Sequence, residues 1–299
     1  MTPDIRQRNI SKDSSSKITQ ISEEAQSLLK KATSLQITWD ELPEWSKDNE
    51  YIHTSFRPIS NSQYLHPSGC DPMGAWWYTF ATEHYPQTSQ DDFIVFFLLF
   101  LGGASCFALS TIYHLLANHS HTTHDLCHKL DLLGIVTVTS GCFPPGLWYT
   151  LPCAQRNTKI TWIAIDLFAQ FLAAIFVLFV KRFRTSAWRP LRGLLFSFMT
   201  SSAFYPIIIS VLQNGWAKAD AEYGASLYAL TILIYVSSVF VYASRCPKAW
   251  KSGHFDVWGQ SHQIFHFGMA IGYTVHCVAF FKGVHQFYGV KGGRCDTWI

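Results

Sequence analysis

The chain has 299 residues, of which 14% are charged and 48% hydrophobic, with 11 Trp, 13 Tyr and 23 Phe; that balance excludes an ordinary soluble domain. The net charge of +3 is small and no nucleic-acid-binding motif is present, so a nucleic-acid partner is not expected. The eight cysteines form neither a C-x-x-C pair nor a regular framework, which argues against a zinc ribbon or a disulfide scaffold and makes most of them small apolar fillers within helices.

Residues 1–90 read as a polar tail. Met1 to Asn9 has no apolar stretch behind it, so no cleavable signal peptide is expected. Ile18, Ile21, Ala25, Leu28, Leu29, Ala32 and Leu35 recur at helical spacing with Ser22, Glu23, Lys30 and Lys31 between them, which predicts an amphipathic helix. From Trp39 to Pro58 the mixture of aromatics, acids and prolines suits an irregular interfacial segment.

Residues 91–288 hold six apolar runs about as long as the roughly 20 residues a spanning helix needs, at about 93–116, 130–152, 160–180, 191–213, 223–243 and 262–287. The expected fold is therefore an all-α polytopic transmembrane helix bundle, closed by a short tail over 289–299. Pro144-Pro145-Gly146 predicts a kink or an early stop in the second span, and Pro206 a bend in the fourth. Trp148, Trp162, Trp188, Trp216 and Trp258 fall near span ends, as interfacial anchors do.

The chemistry gathers at three of these span ends. His262 and His266 stand four residues apart where the last span opens, so on a helix both rings face one point. His114 closes the first span with Ser110 one turn before it, and Asp131 opens the second. A histidine at that depth costs free energy unless it is paired, hydrated or metal-bound, while an Asp there is either a charge favoured by the helix dipole or a functional carboxylate. With alternating crossings, all three places lie on the same membrane side. The loops on that side carry Lys129, Lys181, Arg182, Arg184, Arg189, Arg192, Arg245, Lys248 and Lys251 against Arg156, Lys159 and Lys218 opposite, which makes it cytoplasmic. The histidine-rich loop His119 to His128 is a second, weaker candidate for metal.

Three neutral imidazoles with an open fourth position is the arrangement of a catalytic Zn2+ site. His114, His262 and His266 would be the ligands, Asp131 the general base or orienter of the water, and Ser110 a hydroxyl that holds the water or steadies an oxyanion. If Asp131 instead closed a four-ligand site, the metal would be structural.

These residues carry a resemblance. Trp39-Asp40-Glu41-Leu42-Pro43, Phe56-Arg57-Pro58, Ser110-x-x-x-His114, Lys129-Leu130-Asp131-x-x-Gly134, Arg189-Pro190-Leu191-Arg192 and Ser261-His262-Gln263-Ile264-Phe265-His266 stand in the order seen in the progestin and adipoQ receptor, or haemolysin III-like, family, which the chain resembles in its fungal members. The resemblance implies seven helices, a cytosolic N-terminus, zinc on His114, His262 and His266, and Ser110 and Asp131 beside the metal-bound water. One departure stands out: the interval from Pro58 to Phe93 holds only the short apolar patch Gly74 to Ala81, so the family's first helix is missing. Strict alternation over six spans would then place the polar tail on the far side from the histidines.

Three functions follow as expectations: a zinc-dependent hydrolase of lipid amides such as ceramide, a ligand-sensing receptor braced by zinc, and a haemolysin-type channel. The family adds roles in sterol and zinc homeostasis. Expected partners are membrane lipids and a lipid substrate or ligand such as a ceramide or sterol. The endoplasmic reticulum, vacuolar and plasma membranes are all open as locations.

Overall fold

A computed structural model describes Thr38, Asp40–Leu42, Glu44, Lys47, Tyr85, Gln87–Ser202, Phe204–Phe255 and Trp258–Cys295. The expected amphipathic helix over 18–35 and the interval where a first helix is missing lie outside the described residues.

The described chain is all helical bundle: α1 Gln90–Leu116, α2 His121–Thr150, α3 Arg156–Phe179, α4 Arg189–Ser202, α5 Tyr205–Asn214, α6 Trp216–Tyr223, α7 Ala225–Ser244 and α8 Ser261–Val284. The last runs on into a π-helical turn, His285–Val290. No strand is present among the described residues. α1, α2, α3, α7 and α8 are each long and apolar enough to cross a membrane. Their outward faces are apolar, with Phe168, Phe179, Leu233, Phe240 and Phe267 largely exposed. A surface of that kind is stable only against lipid, and the protein is a multi-pass integral membrane protein.

Helix starts are set by local chemistry. Ser89 and Asp92 make a reciprocal capping box at the start of α1, with Ser89 N–H donating to Asp92 Oδ2 at 2.8 Å. Ser120 caps α2 by accepting from Thr123 N–H at 3.3 Å. That cap corrects the sequence reading at two points: His121 to His128 is not loop but the first two turns of α2, and Asp131 stands well inside the helix. The dipole explanation for Asp131 falls with it, because the macrodipole acts within the first turn.

The proline pair does not stop α2, which continues through Pro144 and Pro145 to Thr150. Both prolines are fully buried, and in a bundle neighbouring segments compensate the backbone groups that proline frees. Pro206 does more than bend the fourth run. It sits in the first turn of α5, and the run is divided into α4 and α5.

Hydrogen bonds fix how that pair lies. Arg192, in the first turn of α4, reaches Tyr242 at the end of α7, whereas Ser210 Oγ of α5 meets the Thr150 carbonyl at the end of α2. Together α4 and α5 therefore carry the chain from one face to the other. This crossing is also required by parity, since α2, α3 and α7 alone would leave the start of α8 on the wrong side to meet the end of α1.

The far face is held by Asp92, which is fully buried and accepts from the Tyr149 hydroxyl, from Tyr288 Oη at 2.6 Å and from Ser89. Around it pack Phe96, Leu99, Phe280 and Val284 of α1 and α8. On the same face Cys153, just past α2, is joined to Cys295, beyond α8. The expectation that most cysteines are apolar fillers within helices does not extend to this pair, which lies outside the helices; a spacing of 142 residues gives no signal in a sequence.

Candidate metal centre

His114 sits in the last turn of α1, and His262 and His266 in the first two turns of α8. Their Nε2 atoms form a triangle with sides of 3.2 Å (His114 to His266), 3.3 Å (His114 to His262) and 2.9 Å (His262 to His266). Hydrogen bonding does not account for three imidazole nitrogens facing one another. A neutral ring nitrogen either donates or accepts, so at least one side of the triangle sets two like groups together. A metal removes that conflict, because neutral imidazole offers its lone pair to a cation. Tetrahedral coordination at about 2.0–2.1 Å separates ligand nitrogens by about 3.3 Å, close to the sides observed.

Among the described residues these three histidines are the one group of histidine, cysteine or carboxylate ligand atoms that closes on a point. His121, His124 and His128 do not join them. His128 instead stacks on Tyr113 with ring centroids 5.4 Å apart, and Tyr113 Oη lies 3.4 Å from His124 Nε2.

Asp131 lies one helix away on α2, with Ser110 of α1 as its polar neighbour. Asp131 is outside the group of converging ligand atoms. Ser110, Asp131, His262 and His266 all line one cavity of about 530 Å³ that runs into the bundle between apolar walls including Val138, Phe196, Ile232, Val236 and Met269. The donor set is thus three imidazoles with a hydroxyl and a carboxylate nearby, facing an apolar chamber.

Three residues that spacing in the sequence does not single out complete the surroundings. Tyr242 of α7 packs on His262 with ring centroids 5.7 Å apart and accepts from Arg192 Nη2 at 3.2 Å. Glu44 and Lys47 of the N-terminal tail line the same cavity. These two tail residues therefore lie on the histidine face, not on the far face that strict alternation over six spans required.

A multi-pass helical membrane protein with a three-histidine centre at one membrane face is the class this architecture defines. Within it, the chain belongs to the Haemolysin-III related family, whose model matches residues 60–277. It is 28% identical over 277 residues to the adiponectin receptor protein of Drosophila melanogaster, covering 86% of this chain and 61% of that protein. It is 26% identical over 258 residues to the ADIPOR-like receptor IZH2 of Saccharomyces cerevisiae, covering 80% and 81%. Heptahelical transmembrane protein 3 of Arabidopsis thaliana is 34% identical over 182 residues, covering 60% and 52%. The chain spans about three fifths of the length of the Drosophila relative and of a Caenorhabditis elegans one, progestin and adipoQ receptor-like protein 1.

Proposed function

We propose that this protein is a zinc-dependent membrane hydrolase acting on a lipid amide, with its histidine face in the cytoplasm. The observation that carries the reading is the placement of Ser110 and Asp131 in one apolar-walled cavity with His262 and His266, two of three converging imidazoles. When bound, zinc would polarise an amide carbonyl and lower the pKa of a coordinated water.

The chain's own residues do the rest. His114, His262 and His266 hold the metal as neutral ligands. An Asp131 carboxylate oxygen accepts the proton of the attacking water and hands it to the departing amine nitrogen. Ser110, which lines the same cavity, orients the carboxylate or steadies a developing oxyanion. Val236, Phe196 and Ile232 take the acyl chain and exclude bulk water. Two observations support the sidedness: the basic residues Lys181, Arg184 and Arg192 border the cavity, and the Cys153–Cys295 disulfide stands on the opposite face, where an oxidising compartment would be.

The test is turnover of a ceramide by purified protein with bound metal counted. Asp131→Ala is expected to keep zinc and fold while lowering turnover about 10²–10⁴-fold. Unchanged turnover would overturn the reading. A receptor in which zinc only braces the helices is the second reading, favoured by the way the centre ties the end of α1 to the start of α8; it predicts that Asp131→Ala changes nothing but ligand response.

A further inference from the structure

The histidines at the start of α2 take no part in the metal centre, yet they lead to it. Spacings of three and four residues set His121, His124 and His128 on one helix face, and all three line the cavity that His262 and His266 line. His121 is exposed, whereas His124 and His128 are half-buried. The two inner rings stand 5.9 Å apart between centroids, and Tyr113 joins them to the centre. His128 stacks on its phenol at 5.4 Å, His124 Nε2 lies 3.4 Å from its hydroxyl, and the His114 ring is 5.1 Å from the same phenol. A divalent cation entering here meets charge of its own sign, because Lys47, Lys181, Arg184 and Arg192 border the cavity. Two of the three acids among its described lining residues are tied to cations: Glu44 to Lys47 at 2.8 Å, and Asp125 to Lys129 at 2.7 Å and to Arg184 at 3.3 Å. The third, Asp131, stands further along α2. Neutral imidazole lone pairs are what remains to attract a metal at this entrance. The helix dipole opposes a cation at His121 and fades past the first turn, which makes the inner pair the resting point.

We infer that His124 and His128 form a docking site for Zn2+ that feeds the three-histidine centre, with His121 as its outer contact. Two imidazoles with waters in the remaining positions satisfy a four-coordinate zinc ion but hold it less tightly than three. In the transfer His114 replaces a water on the ion, and His262 and His266 then replace His124 and His128. Only bonds to the metal are exchanged, across the width of the Tyr113 ring. The inference rests on the centre taking a metal and is independent of the hydrolase reading.

The experiment measures metal uptake, not turnover, on the full chain in phosphatidylcholine nanodiscs, carrying no polyhistidine tag, stripped of metal and then supplied with zinc. Competition with a fluorescent chelator counts the ions held, and stopped flow at limiting zinc gives the rate at which the centre fills. The unaltered protein should keep one zinc through desalting and take up a second only while free zinc is present. His124→Asn with His128→Asn should lose the loose ion, keep the tight one and fill about tenfold or more slowly, the scale by which a local capture site raises an on-rate. His262→Ala should do the reverse, retaining no zinc through desalting yet still taking up the loose ion. His119→Asn is the matched control: His119 precedes α2 and faces Thr123 Oγ1 at 3.2 Å, so filling should keep its unaltered rate. His121→Asn, at an exposed position, should slow filling about threefold, which keeps the inference testable if the double variant does not fold. A protein that takes up no second ion, a loose ion that survives the double substitution, or filling that no stripe substitution slows overturns the docking site. If the unaltered protein keeps no tight ion, the metal centre fails and the docking site with it; a tight ion without a loose one removes the docking site alone.

Discussion

His262 and His266 were legible as a pair because the helical period brings positions four apart onto one face. His114 joined them through the parity of the crossings, and the Nε2 atoms of the three stand 2.9–3.3 Å apart. Removing one imidazole leaves two ligands, so His262→Ala should take metal content from about one per chain to near zero and lower the thermal midpoint, since binding energy is also folding energy. Metal analysis beside a melting curve checks this; retained stoichiometric metal would show that the triangle is not the binding point. Asp131 was legible as a residue but not in its setting, because the Ser120 cap that begins α2 ten residues earlier is a weak local signal among histidines. Arg192 could be seen only as part of a short motif. Its burial and its unmatched Nε–H come from packing between segments, which no spacing along the chain encodes.

Among the helices, the apolar runs were readable because lipid demands length and hydrophobicity at once. The behaviour of proline was not, since whether it stops, bends or divides a helix depends on what neighbouring segments can compensate. The α1–α2 contact shows how close that packing is. A Cβ at Gly102 would stand 2.7 Å from the Thr137 carbonyl oxygen and 3.1 Å from Gly141 Cα, both backbone atoms that cannot swing aside. Gly102→Val should therefore destabilise the protein by about 1–3 kcal/mol or more, through overpacking. Gly146→Ala is the matched control: a Cβ there meets nothing within 4 Å, and the substitution is expected to be neutral or mildly stabilising. Thermal midpoints in one detergent compare the two, and similar losses would remove the packing account. The same closeness brings Ser110 of α1 and Asp131 of α2 to one cavity wall.

For the whole molecule, topology could be inferred from charge and parity, but two features lay beyond that reach. The tail residues Glu44 and Lys47 stand on the histidine face although α1 starts on the far one. The Cys153–Cys295 bond joins segments too distant in sequence to be paired by inspection. Breaking it with Cys153→Ser should cost about 2–4 kcal/mol, the usual worth of closing a long loop. Thiol labelling should then find Cys295 reactive from the far side of sealed vesicles. Labelling from the histidine side would reverse the assigned orientation. The disulfide and the histidines bracket the same helix. α8 begins in the triangle at one face and is followed, just past its end, by the bond at the other. Since α8 follows the other described helices in the chain, neither closure can form before it is made. A nascent chain truncated before Ser261 would carry His114 without the other two imidazoles and Cys153 as a lone thiol. The arrival of α8 is thus the event that secures both faces.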